Sequence, residues 1–154
     1  EYSSTLYPTT SLYDIEEALG VVGDLKTSWG PNLYMGMRPE IYGYPKDYAS
    51  TEEGKAKVQE MRQAWVANEM PRFMGYLERL LQRHEGQWIA SATHVTIADC
   101  EAVVFLRSLT RGHVDHVPKD CWTKNHPELV AYVKRFCALP EIKGRYKDGL
   151  REDS

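Results

Sequence analysis

Val95-Thr96-Ile97-Ala98-Asp99-Cys100 carries the strongest local structural signal in the sequence. The Thr96 side chain can accept a hydrogen bond from the backbone N–H of Asp99, while the Asp99 carboxylate can accept one from the N–H of Thr96. This reciprocal capping box marks the start of a helix, and Val95 and Cys100 are placed to close that start as a hydrophobic pair. We therefore assign Thr96 and Asp99 a structural capping role.

Helical spacing of apolar residues continues on both sides of this stretch. The apolar segment Thr96–Leu109 predicts a central, strongly buried helix. The same spacing predicts further helices at Leu12–Met37, Thr51–His84, Pro127–Leu139 and Glu141–Tyr146. We expect Gly30-Pro31 to bend the first of these and Pro71 to kink or break the second. No useful strand-like alternation occurs, so the sequence predicts an all-α bundle of five or six helices.

The helix predicted over Thr51–His84 is amphipathic. Its apolar residues recur every three to five positions and form one stripe. Its charged residues, Arg62 among them, are assigned to the opposite, solvent-facing side. We expect Arg38–Ser50 to be a loop and Gln87–Val95 to be a short irregular link.

Composition places the chain among ordinary globular domains. Its 154 residues fit one domain, and 42% hydrophobic with 27% charged residues exclude a disordered or fibrous chain. The net charge of −3 argues against nucleic acid or an anionic membrane as the main partner. No apolar run approaches the roughly 20 residues that span a bilayer.

Cysteine usage favours a reducing compartment, and hence a cytoplasmic location, because Cys100, Cys121 and Cys137 are far apart and form no Cys-x-x-Cys pair. Cys100 and Cys137 fall on apolar helix faces and are expected to be inert. The cluster His113-x-Asp115-His116, near Cys121, contains metal-ligating residue types. It lies in a predicted loop without the fixed spacing of zinc modules, so we predict no metal site.

The capping stretch resembles the start of the buried helix in cytosolic glutathione transferases. In that family a large apolar pair and a glycine precede Ser/Thr-x-Ala-Asp, and Trp88-Ile89 and Thr96-Ile97-Ala98-Asp99 match this pattern. Ser91 departs from it, because many members have glycine there. Asn125–Leu129 and Ala138–Lys143 are similar to the family's last helices.

Shorter matches extend the resemblance towards the start of the chain. Leu6-Tyr7-Pro8 resembles the end of the linker between the two domains of these enzymes, and Asn68–Pro71 with Asp24-Leu25-Lys26 resembles the sigma class and its alpha, mu and pi relatives. The resemblance implies a linker remnant over residues 1–10, the helical C-terminal domain over 11–147 and a flexible tail over 148–154. It also implies that the family's N-terminal thioredoxin-like domain is absent from this chain.

What the resemblance implies about function is specific. The parent protein would conjugate the thiol of its co-substrate glutathione to electrophilic or hydrophobic small molecules, as a cytoplasmic homodimer active in detoxification. The thioredoxin-like domain of such enzymes binds glutathione and activates the thiol. We therefore expect no catalytic residue in this chain and no activity from the chain alone.

The resemblance also implies roles for four residues of the first helix and its end. Asp24 stands where an aspartate of the sigma-related classes reaches across the dimer to the glutamyl ammonium of glutathione in the partner subunit. Tyr34 stands where an aromatic side chain lines the electrophile pocket. Trp29 and Arg38 are weaker candidates for the rim of the same pocket.

Two alternatives share this fold. One is a glutathione-dependent isomerase of the prostaglandin or maleylacetoacetate type. The other is a non-enzymatic protein-interaction domain, as in the gamma subunit of the translation elongation factor one complex. Such an adaptor keeps the capping motif for folding but has no need of Asp24, so this aspartate favours the enzyme.

Overall fold

A computed structural model of the chain describes residues 5–145. Its helices are α1 Leu12–Met37, α2 Glu52–Ala64, α3 Met70–Arg83, α4 Ile97–Thr110, α5 Pro127–Cys137 and α6 Pro140–Arg145. Short 3₁₀ turns occupy Thr9–Ser11, Pro39–Tyr42 and Tyr48–Ser50. Within the described residues there is no strand, which confirms the all-α prediction. Tyr146 and the tail predicted over 148–154 lie outside them.

Helix α1 begins and ends at the predicted residues and packs against α2, α3 and α4. It continues through Pro31, so the expected bend does not divide it. Ser11 occupies the N-cap position but makes no side-chain capping bond. Every third or fourth residue of α1 is buried, which fixes one inner face and one outer face: Ile15, Ala18, Val22, Leu25, Trp29, Asn32 and Met35.

A π-helical turn at Trp65–Glu69 joins α2 to α3, and the N–H of Met70 donates to the carbonyl of Trp65, five residues earlier. Pro71 follows directly. A proline ring clashes with the carbonyl four residues earlier in a regular α-helix, and a wider turn relieves that clash. The irregularity expected near Pro71 takes the form of this π-helical turn, through which the helical path continues.

The assignment of Arg62 to the solvent-facing side is wrong. Its side chain is 6% exposed and lies on the buried face of α2 with Val58 and Trp65. The guanidinium donates to backbone carbonyl groups of α1 and of the loop after α4. Arg62 is held by contacts with residues 30 and 53 positions away in sequence. Such contacts leave no trace in local periodicity.

Helix α4 packs between α1 and α5 and buries Ala98, Ala102, Val103, Leu106 and Leu109. The helix was predicted to be central and strongly buried; this face is buried, while Val104 is 69% exposed. Helix α5 packs against α3 as well as α4. Among the described helices, none combines the length and apolar character that crossing a membrane requires.

Candidate functional site

The capping box of Thr96 and Asp99 forms as predicted, and Asp99 does more than cap α4. One carboxylate oxygen, Oδ2, accepts from the Thr96 N–H at 2.7 Å and the Thr96 hydroxyl at 2.9 Å. The other, Oδ1, accepts from the Ile89 N–H at 3.0 Å and the Tyr132 hydroxyl at 2.9 Å. Asp99 is fully buried, so these four donors replace its hydration. The carboxylate thus ties together the 87–95 segment, α4 and α5.

The contact between Asp99 and Tyr132 also affects the pKa of the Tyr132 phenol. Burial, followed by the negative charge of Asp99, raises the pKa of Tyr132 well above its ordinary value. The phenol therefore stays protonated near neutral pH and donates to Asp99. With all its acceptor positions used inside the core, Asp99 has no capacity left for a ligand, and the structural role is the one its geometry supports.

Asp24 lies on the outer face of α1, in an environment opposite to that of the buried Asp99. Its side chain is exposed, and none of the hydrogen bonds or ion pairs of the described residues involves it. Ten residues separate it from Tyr34, which is about 15 Å along a helix axis and about 80° around it. Asp24 can therefore accept a charge-assisted bond from an approaching cation without first giving up a partner.

The structure separates the other predicted pocket residues into two groups. Tyr34 is 40% exposed and Arg38 is exposed, so both can meet a ligand at the end of α1. Trp29 is 5% exposed and stacks obliquely on Trp65 with ring centroids 4.8 Å apart. Because its ring faces the core, the geometry does not support the rim position given to Trp29.

Three apolar side chains near Tyr34 were not singled out from the sequence. Met37, Ile41 and Tyr42 are exposed at the end of α1 and in the 3₁₀ turn that follows. The spacing of positions 34, 37 and 41 could have revealed this group from the sequence. It follows the outer side of α1 and continues one step past the last residue of the helix. Together with Tyr34 they give this end of the molecule an apolar surface.

The thiols of Cys100 and Cys121 are not activated nucleophiles. Burial raises the pKa of Cys100, and raises that of Cys121 to about 11, so both are neutral thiols near pH 7. Cys137 is half-buried, and Arg107 Nη1 donates to its sulfur at 3.0 Å. Over residues 5–145 no three or more His, Cys, Asp or Glu side chains are grouped to hold a metal ion.

Comparison with known proteins gives a family for the chain. The sequence model of the glutathione S-transferase C-terminal domain matches residues 45–147, which include α2 to α6 and the Asp99 contacts. Neither a curated protein nor a solved structure matches significantly. The match does not extend to α1, so Asp24 and Tyr34 lie outside it. It covers well over half of the chain, which therefore belongs to the glutathione S-transferase C-terminal domain family.

Proposed function

We propose that this chain is the electrophile-binding domain of a glutathione S-transferase that conjugates the glutathione thiol to electrophilic small molecules in the cytoplasm. The observation that carries the proposal is Asp24, an exposed carboxylate without a protein partner in the described part of the chain. Family membership supplies the fold, and fold alone does not distinguish an enzyme from an adaptor. The aspartate supplies a reason to prefer the enzyme.

In this proposal the chain works beside a thioredoxin-like domain that binds glutathione and stabilises its thiolate. Two copies form a homodimer, and Asp24 of one copy accepts a hydrogen bond from the glutamyl ammonium of glutathione held by the other. Tyr34 and Arg38 line the electrophile pocket. The apolar side chains of Met37 and Ile41 extend that pocket to hydrophobic substrates.

An exposed carboxylate suits this task on energetic grounds. It stays hydrated until glutathione arrives, so the folded protein pays no desolvation cost for keeping it ionised. On binding, a hydrogen bond between two charged groups contributes about 1.5–3 kcal/mol. This corresponds to roughly 10- to 150-fold in the dissociation constant.

The test is a glutathione titration of the full-length protein and its Asp24→Ala variant by calorimetry. We expect the dissociation constant to rise roughly 10- to 150-fold, while the KM for the electrophile changes much less. Asp47→Ala is the matched control, since Asp47 is also exposed and makes no side-chain capping bond. Equal dissociation constants for wild type and Asp24→Ala would contradict the proposal and favour the adaptor.

A further inference from the structure

Arg62 is a buried cation without an acidic ion-pair partner in the part of the chain that the structure describes. It is 6% exposed, and no Asp or Glu carboxylate of the described residues forms an ion pair with it. Burial lowers the pKa of its guanidinium, and the negative charge of nearby Asp115 offsets this only in part. Buried charges are ordinarily paired, because an unpaired one loses its hydration without compensation.

The guanidinium has hydrogen-bonding capacity to spare. Its Nε donates to the carbonyl of Asn32 and its Nη1 to the backbone carbonyl of Asp115, each at 3.1 Å. An arginine carries five N–H donors, so three remain, one on Nη1 and two on Nη2. The Nη2 side faces α1 at Gly36, where a Cβ would lie 2.6 Å from Nη2. A side chain at position 36 would therefore make the guanidinium shift from this place.

A cavity of about 130 Å³ is lined by Arg62 and by Gly36, the residue that its Nη2 faces. Arg62, Lys55 and Asp115 are its charged lining residues. The ammonium of Lys55 is paired with Glu52 at 2.8 Å, so Arg62 is the cation of the cavity that has no acidic ion-pair partner among the described residues. The remaining lining is small or apolar, from Gly36, Ala49 and Val58, with His116 at one side. Lys55, Asp115 and His116 also line a shallower groove, together with Glu52, the ion-pair partner of Lys55. The cavity therefore opens onto a surface that can hold the rest of a ligand.

We propose that this cavity binds the carboxylate group of a small organic acid, with Arg62 as the residue that holds it. A guanidinium fork matches the two oxygens of a planar carboxylate, which takes two parallel hydrogen bonds from it. The small volume admits one such group. The carboxylate of Asp115 disfavours a doubly charged anion such as phosphate through like-charge repulsion. The site is separate from Asp24 and does not depend on the proposed function.

The test uses the whole 154-residue chain, sodium benzoate as the probe and benzamide as its neutral isostere, with chloride added to match ionic strength. Amide and arginine Nε–H signals are followed by nuclear magnetic resonance. We expect saturable benzoate-dependent shifts at Gly36 and at Arg62 Nε–H, and no such shifts with benzamide. Arg62→Met is expected to abolish them.

Two further variants keep the result readable if Arg62→Met fails to fold. Gly36→Ala displaces the guanidinium without removing its charge, and alanine favours the helix, so we expect a folded protein that binds benzoate at least about tenfold more weakly. Asp115→Asn keeps the backbone carbonyl that Arg62 contacts and removes the competing charge. It should bind benzoate several-fold more tightly.

Arg79→Met is the matched control, because Arg79 is an exposed arginine that lies over the Tyr76 ring and does not line the cavity. Its benzoate affinity should equal that of the wild type. The proposal is overturned if benzamide binds as tightly as benzoate, if no saturable shift occurs at Gly36, or if Gly36→Ala and Asp115→Asn both bind benzoate with wild-type affinity.

Discussion

Asp99 and Asp24 are two aspartates in opposite environments of one bundle. Asp99 is fully buried in the first turn of α4 and accepts four hydrogen bonds from the protein. Asp24 is exposed on α1 and accepts none among the described residues. A carboxylate whose acceptor sites are all occupied stabilises the fold and cannot serve a ligand. One left to solvent contributes little to stability and remains available for binding.

The largest expected effect comes from Asp99→Ala. The substitution leaves Tyr132 OH and the N–H groups of Ile89 and Thr96 without a buried acceptor, at about 1–3 kcal/mol for each stranded donor, less any relaxation. We expect the free energy of unfolding in urea to fall by at least about 3 kcal/mol, more than the ~1 kcal/mol of an exposed cap.

Asp99→Asn is the control for that substitution, since it keeps the shape and part of the accepting capacity. It should lose less stability than Asp99→Ala. A urea midpoint for Asp99→Ala equal to that of the wild type would show that the start of α4 does not depend on this carboxylate.

Tyr132→Phe should have an intermediate effect. It removes one of the four donors while the ring stays in the core, so Asp99 keeps three partners. A hydrogen bond to a charged group contributes about 1.5–3 kcal/mol, and we expect a loss near the lower end of that range in urea unfolding. Tyr76→Phe, at a half-buried tyrosine whose hydroxyl makes no hydrogen bond in the described structure, is the control and should change stability less.

Glu17 is a third case, an exposed carboxylate that has a partner. Arg83 donates to it and lowers the pKa of Glu17 below its ordinary value of 4.5. A lowered pKa in the folded state stabilises the protein above the unfolded pKa, and that contribution is lost as the pH falls through the folded value. Glu17→Gln should therefore lower the thermal midpoint slightly at pH 6 and by less at pH 3. An equal difference at both pH values would show that the ion pair has no pH-dependent part.

Asp24→Ala should have the smallest effect on stability. An exposed side chain without a partner changes the free energy of unfolding by no more than about 0.5 kcal/mol when it is truncated. Chemical denaturation of the wild type and the variant checks this. A loss above 1.5 kcal/mol would mean that Asp24 has a structural partner and would remove the contrast with Asp99.

Local signals in the sequence predicted most of the fold. The Thr96–Asp99 box and the three-to-four spacing of α1 act within a few residues, so their outcome is readable from the chain alone. The contacts of Asp99 with Ile89 and Tyr132 depend on how the 87–95 segment and α5 pack, and no local pattern encodes them. The burial of Arg62 was missed for the same reason. For Asp24 and Tyr34, the structure gives exposure, while their roles stay predictions.

The π-helical turn at Trp65–Glu69 has a consequence for chain length. It contains one residue more than a regular α-helical turn would. Because of this extra residue, the buried side of α2 and the buried side of α3 stay aligned although Trp65 and Met70 are five positions apart. Deleting one residue there would restore a regular helix, but Pro71 would then meet the carbonyl four residues earlier. The helix therefore accommodates Pro71 only while the extra residue is present. A homologue that is one residue shorter in this segment is expected to have lost the proline as well.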